Sequence, residues 1–323
     1  MNQTKHVVLI CKSNNAGSGG YAGLVPSLQQ ALEDAGFTAR VFSDIDAFTR
    51  EAEQCTADHS PRATVSAGGD GTLALVASRV PPQTPLLPVP LGTENLMARY
   101  IGHGRSIDVI VETIRQGKTA RLDAGMANDQ LFLIMCSCGF DAEVVRRLHQ
   151  SRRGHIWKLS YLLPTLRSAA AYRFPKMRIS GSESTAAVPE VPWAFLFNAP
   201  RYAMGLRISE DANPQDGEFD LVCLEKGSVL STLSYMADVS RNKLSRRRDT
   251  HQCTGTQFEI APTDPDQQIP YQVDGDFAGF LPLSITVLPE RINMLLPPKV
   301  ILDQQTKKAQ LEHSIASPTI AVT

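Results

Sequence analysis

The stretch Ala63-Thr64-Val65-Ser66-Ala67-Gly68-Gly69-Asp70-Gly71-Thr72-Leu73-Ala74-Leu75-Val76-Ala77 decides how the rest of the chain is read. Ala63 to Val65 predicts a buried strand and Leu73 to Ala77 carries helical apolar spacing, so three glycines and a carboxylate fall on a strand-to-helix turn. Glycine lets a backbone approach a phosphate closely, and the N–H groups at the opening of a helix favour anionic oxygens. The turn lacks the Lys-Ser/Thr ending of a Walker loop and the spacing of a dinucleotide-binding turn. Alone, Gly-Gly-Asp-Gly reads equally well as a tight turn or as a nucleotide-phosphate cradle.

Outward from this turn, strands and helices alternate. Val7 to Ile10, Thr38 to Phe42 and Leu86 to Val89 read as strands. Leu24, Leu28, Ala31 and Leu32 give one helix its apolar stripe, with Pro26 near its start and Gly36 suited to its end; Ile45 and Phe48 mark another, and a third opens near Thr93. Repeated β-α units predict an α/β domain over 1–122 with a mainly parallel sheet and helices on both faces, whose ligands sit at the carboxyl ends of the strands. After Leu122 the pattern changes. Leu131 to Ile134, Lys176 to Ile179, Trp193 to Phe197, Phe219 to Cys223 and Ser284 to Val287 are strand-like and separated by turn residues, interrupted by helical stretches at Ala142 to His149 and Ile156 to Ala171. The expectation is a mostly antiparallel, β-rich second domain over 123–291, with the first domain rejoined by about 292–303. The polar stretch 304–323 lacks periodicity and is expected to be a flexible tail.

Composition excludes some partners. With 32 Lys and Arg against 33 Asp and Glu in 323 residues, global charge gives no reason to expect nucleic acid. The six cysteines are scattered, the one close pair being Cys136 and Cys138, and read as reduced thiols of a cytoplasmic protein. The N-terminus shows no signal-peptide pattern, and the most apolar segment, Leu131 to Phe140, is far shorter than the ~20 residues needed to cross a bilayer. His103, His149, His155 and His251 show no metal-ligand spacing. Two basic clusters, Arg146-Arg147 with Arg152-Arg153 beyond, and Arg246-Arg247-Arg248 after a further helix, read either as solvated faces or as docking points for anionic lipid at the inner membrane surface.

Several patches recur in an order that resembles the diacylglycerol kinase catalytic-domain family, which includes bacterial lipid kinases and sphingosine kinases and is distantly related to NAD kinases. The resemblance covers roughly residues 5 to 300. It rests on Gly68 to Thr72, on Pro90-Leu91-Gly92-Thr93-Glu94-Asn95, on Leu122-Asp123, on Asn198 to Gly205, on Asp211-Ala212 with Asp216-Gly217, and on Val273-Asp274-Gly275-Asp276. Four positions depart from the family's pattern: Ser13-Asn14 replaces Asn-Pro, Leu96 replaces an Asp, and Asp276 stands where the family has Glu.

The resemblance implies roles for individual residues. Asn15 and Gly17 would belong to the first nucleotide loop. Ser43 matches a nucleotide-contacting hydroxyl, and Gly68, Gly69, Asp70, Gly71 and Thr72 match the main phosphate loop. Thr93 and Asn95 match a further ATP-contacting element. Asn213, Asp216 and Glu218 match a magnesium site, Asp216 through its carboxylate and the other two through backbone carbonyls; hard oxygen ligation of this kind suits Mg²⁺. Asp216-Gly217 is equally an ordinary turn dipeptide. Asp123 and Asp274 match acidic positions near the catalytic metal, and Asp276 matches the proton acceptor. Asp70 and Asp274 are then expected to hold the ATP-bound Mg²⁺ while Asp276 deprotonates a primary alcohol. The expected activity is transfer of the γ-phosphate of ATP to a hydroxyl of diacylglycerol or a related lipid. A kinase of a soluble hydroxyl compound, NAD-kinase-like, and a nucleotide-binding regulatory protein without turnover are the alternatives.

Overall fold

The structure, a computed structural model, describes residues 6–13, 21–54, 61–150, 172–181, 188–200, 208–298 and 300. The helix expected from Ile156 to Ala171, the stretch 304–323 and Cys55 lie outside the described residues.

Strands β1 (Val7–Lys12), β2 (Thr38–Phe42), β3 (Ala63–Gly68) and β4 (Pro85–Pro90) pair in parallel in the order β2-β1-β3-β4. Both faces of this sheet are covered, so its central strands read as unbroken apolar runs. Along β1, Val8 and Ile10 join a core with α1 (Leu24–Asp34) and α5 (Ile107–Gln116), while Leu9 and Cys11 join the opposite one with α2 (Ile45–Glu53) and α3 (Asp70–Ser78). The alternation of a strand thus sorts its residues between two helix layers. All four strands end at one edge, where Ser13, Ser43, Gly69 and Leu91 follow them.

The parallel sheet does not stop at β4. β15 (Leu283–Leu295) pairs in parallel with β4 through Asn293 and Met294, and antiparallel with β5 (Thr119–Ala127) along most of its length. Its first half also pairs with β12 (Gln257–Pro262), which pairs with β8 (Met177–Gly181), while β6 (Gln130–Phe132) pairs with β5. One nine-stranded sheet is therefore parallel at one end and antiparallel at the other. The second sheet is antiparallel throughout, in the order β11 (Thr250–Gly255), β10 (Phe219–Leu224), β9 (Trp193–Phe197), β7 (Met135–Gly139), β13 (Pro270–Val273), β14 (Asp276–Phe280). Phe132, Phe258 and Ile285 of the first sheet meet Leu196, Phe219 and Cys223 of the second in a shared core, giving the second domain a sandwich architecture. Three helices complete the described fold: α4 (Leu96–Tyr100), α6 (Phe140–Gln150) and α7 (Val229–Ser240), the last opened by a capping box in which the Ser228 and Ser231 hydroxyls exchange bonds with each other's backbone N–H.

Two elements differ from the sequence reading. The apolar run Leu131 to Ile134 leaves the sheet after Phe132, because the N–H groups of Leu133 and Ile134 turn to a distant carboxylate, that of Asp274. The helix expected near Thr93 starts at Leu96, because Asn95 takes a left-handed conformation (φ 50°). Cys11, Cys136, Cys138 and Cys223 are free thiols. Among the described residues no helix is long and apolar enough to cross a membrane.

Candidate active site

Two loops at the carboxyl edge of the parallel strands are locked together by backbone. The Gly68 carbonyl accepts N–H bonds from Leu91 at 2.9 Å and Gly92 at 3.3 Å. A Cβ at Gly92 would lie 2.5 Å from the Gly69 Cα, and one at Gly68 would meet the Thr72 side chain. Only glycine permits this approach. Asn95 braces its own loop, accepting from Gly92 N–H at 2.9 Å and donating to the Gly92 carbonyl at 2.8 Å. Asp70, the first residue of α3, accepts from the N–H groups of Leu96 at 2.8 Å and Met97 at 3.0 Å, which satisfies the opening of α4. Burial raises the Asp70 pKa; the two N–H bonds oppose this and the Glu94 charge adds to it. Thr93 is exposed at this rim, as is Ser43 across the strand edge.

The second domain reaches the same rim through the β13–β14 hairpin. Asp274 (φ 48°) and Gly275 (φ 89°) form its two-residue turn, both left-handed as a type I′ turn requires. The Asp-Gly pair is thus a hairpin turn. The Asp274 carboxylate accepts three N–H bonds, from Leu133 at 2.8 Å, Ile134 at 2.9 Å and Met135 at 3.0 Å. Burial nonetheless lifts its pKa to about 7, the N–H bonds opposing and the nearby Asp70 charge assisting. The next residue but one, Asp276, opens β14 and is exposed. Its Oδ2 lies 2.8 Å from where a Cβ at Gly71 would stand. Asp70, Asp274 and Asp276, far apart in sequence, therefore converge on the opening of α3.

Beneath the turn lies a residue that the sequence reading passed over. Gln272, 1% exposed, accepts the Gly275 N–H on Oε1 at 2.8 Å and donates from Nε2 to the Ser137 hydroxyl at 2.8 Å. Ser137 in turn donates to Asp141 at the start of α6. No motif marks a glutamine in a strand; its alternation with Tyr271 and Val273 was the single available signal.

The remaining acids are held by other partners. Asp123 is buried and accepts from Gly217 N–H and Glu290 N–H, both at 2.8 Å. Burial raises its pKa, with the charges of Asp216 and Glu290 adding to the effect. In the 213–218 turn, Asp216 accepts from Glu218 N–H at 3.2 Å and donates its own N–H to the Asn213 carbonyl at 3.4 Å. Asn198 ties this region to the Asp274 turn, its Nδ2 donating to the carbonyls of Asp123 at 3.0 Å and Leu133 at 2.7 Å while its buried Oδ1 has no hydrogen-bond partner among the described residues. Asn15 and Gly17 lie outside the described residues.

Among the described residues no three His, Cys, Asp or Glu side chains cluster as a metal site. The donors present near both acidic groups are carboxylate and carbonyl oxygens, which fit Mg²⁺ held by one or two carboxylates and completed by nucleotide phosphates rather than a protein-only cage.

A raised carboxyl pKa carries a sign that can be checked. Asp274 binds its proton more tightly folded than unfolded, so its contribution to stability is fully present below about pH 4 and lost as pH rises towards 7. Asn at this position does not titrate. The stability gap between wild type and Asp274→Asn, measured by denaturant unfolding, is expected to shift against the wild type from pH 4 to 7; a gap constant with pH would contradict the protonation assigned to Asp274.

A diacylglycerol kinase catalytic domain model matches residues 6–127, and a YegS C-terminal NAD kinase beta sandwich-like domain model matches residues 135–296. The chain is 24% identical over 238 residues to an uncharacterised protein of Synechocystis sp., covering 72% of this chain and 54% of that one. It is 23% identical over 280 residues to a diacylglycerol kinase of Staphylococcus saprophyticus, covering 84% and 90% of the two chains. A solved structure of a diacylglycerol kinase from Bacillus anthracis superposes with a TM-score of 0.64 at 16% identity, covering 92% of this chain and 98% of that one, and shares the fold.

Proposed function

For a chain that belongs to the diacylglycerol kinase catalytic-domain family, we propose an ATP-dependent kinase that transfers the γ-phosphate to the hydroxyl of diacylglycerol or a related lipid. The observation that carries the reading is the Asp276 carboxylate beside Gly71: a base from one domain against the phosphate-type loop of the other. In this reading the nucleotide domain comprises 1–122 rejoined by 292–303, the acceptor domain comprises 123–291, and the reaction takes place between them in the cytoplasm at the inner membrane surface.

Phosphoryl transfer is mostly positioning and charge neutralisation. The N–H groups at the opening of α3, with Gly68, Gly69 and Gly71 removing steric bulk, receive phosphate oxygens; Thr72, Thr93 and Ser43 contribute hydroxyls at the rim, and Asn95 keeps the second loop in place. Bound Mg²⁺ supplies neutralisation of the phosphate charge. Asp70 and Asp274 would hold it at the nucleotide, and Asp216 with the carbonyls of Asn213 and Glu218 would hold a second ion next to Asp123. Asp276 accepts the proton of the attacking alcohol, and its exposure leaves the carboxylate accessible to an incoming hydroxyl.

Labelled ATP offered with a mixed lipid extract tests the reading. Labelled lipid is the expected product. A labelled soluble product would instead support a kinase of a soluble compound, and ATP binding without any product would support a regulatory protein, for which Leu96 and Asp276 are the sequence departures to examine.

A narrower test uses Gly71→Ala. Alanine favours the helix over glycine by up to ~1 kcal/mol, so α3 is not weakened. The new Cβ stands 2.8 Å from Asp276 Oδ2, and the side chain must swing aside. The melting temperature is expected to hold or rise while kcat falls at least about tenfold; unchanged kcat would remove Asp276 from the reaction.

A further inference from the structure

We propose that helix α7 and the turn after it form the surface through which this chain docks on an anionic phospholipid membrane. Leu230 is 79% exposed and Leu233 41%, and with Ala237 they recur on one face of α7. Arg241, Lys243, Arg246 and Arg248 follow, all exposed, and none is in an ion pair among the described residues.

Arg247 holds the two halves of this surface together. Its guanidinium donates to the Ser234 hydroxyl at 2.8 Å and to Asp238 at 2.6 Å, pairs with both oxygens of Asp249, and lies 4.5 Å over the Tyr235 ring. The cation run is thereby folded back beside Ser234, the neighbour of Leu233, instead of trailing from the helix end. A shallow cleft of about 430 Å³ next to Arg247 is lined by Lys226, Arg247 and Arg248 together with Glu225 and Asp249. Exposed leucines on a helix followed by cations that have no ion pair among the described residues match an interface in which apolar side chains enter the acyl boundary while cations meet lipid phosphates. The same run of like charge disfavours a second copy of this chain, since an isologous contact would set these four cations against the four of the other copy.

The surface also connects to the candidate active site. Tyr235 packs on Trp193 at 6.1 Å between ring centroids, and Trp193, Phe195 and Phe197 stack in a row along β9 that ends beside Asn198. That row is buried and spans about 13 Å at the rise of a strand.

The proposal rests on the lipid-kinase reading only for its choice of a bilayer as partner, and ATP-free vesicle flotation tests it alone. Wild-type protein is expected to float with vesicles of equal parts phosphatidylcholine and phosphatidylglycerol at ~0.1 M salt, and to be released at ~0.5 M salt or from phosphatidylcholine alone. With about fivefold in partitioning per cation, Arg246→Glu with Arg248→Glu should weaken binding more than tenfold. Leu230→Ser with Leu233→Ser should weaken it several-fold without altering the salt dependence. Both double variants should still phosphorylate lipid presented in detergent micelles at the wild-type rate. Equal vesicle binding by wild type and both variants would overturn the proposal, as would a wild-type dimer that the leucine variant dissociates. Vesicle binding by a wild type that phosphorylates no lipid would leave the surface standing and remove the kinase reading. Micellar turnover without vesicle binding would do the reverse.

Discussion

Asp276→Asn is expected to lower kcat by about 10²–10⁴-fold while nucleotide affinity stays near that of the wild type. The substitution keeps shape and removes basicity. The Asp274-Gly275 turn and the Val273 to Asp276 pairing that shape the hairpin rest on backbone conformation, so an amide at position 276 leaves them in place. Position 276 is exposed, so exchanging charge for an amide there buries no new polar group, and folding should be little affected. What disappears is the carboxylate beside Gly71, the proton acceptor of the proposed reaction. Single-turnover transfer from labelled ATP, paired with calorimetric titration of the nucleotide, separates the two effects. Turnover within about threefold of wild type would assign the proton to another group.

Gly92→Ala is expected to destabilise the fold and weaken nucleotide binding together. Its Cβ would stand 2.5 Å from the Gly69 Cα and 3.0 Å from Asn95 Oδ1. The first of these neighbours is backbone and cannot be relieved by a rotamer change. The two loops must separate, which strains the bonds from Leu91 and Gly92 to the Gly68 carbonyl and the Asn95 clasp. Forced overpacking of this kind costs about 1–3 kcal/mol, or a melting temperature lower by roughly 2–12 °C. Nucleotide affinity should fall more than about tenfold, because the displaced loop carries Thr93. Gly23→Ala, where an added Cβ meets nothing within 4 Å, is the control and should change neither quantity. A Gly92→Ala protein as stable as the Gly23 variant would mean the two loops are not in fixed contact.

Much of the first domain is legible locally. Val8, Leu9, Ile10 and Cys11 announce a strand covered on both faces, and the structure divides them between two helix layers as the period of two dictates. The Gly-Gly-Asp-Gly turn and the Asp274-Gly275 hairpin are set by which residues tolerate a left-handed backbone or a close approach, and that is a property of a few neighbouring residues. The strand predicted over Leu131 to Ile134 ends at Phe132, where local rules compete with a distant partner: the N–H groups of Leu133, Ile134 and Met135 find the Asp274 carboxylate about 140 residues further along. Gln272 and Ser137 escaped notice for the same reason, since their bond joins residues 135 apart.

The amino-acid sequence by itself determined the order of strands and helices, the positions of the glycine turns and the family resemblance, because propensity, periodicity and turn chemistry act over short separations. Tertiary structure alone decided that β15 continues the parallel sheet into an antiparallel one, that Gly69 meets Gly92, and that Asp276 arrives beside Gly71, far earlier in the chain. Long-range contacts of this kind arise from burying sheets and loops against one another, and no local preference of either partner encodes which distant residue it will touch.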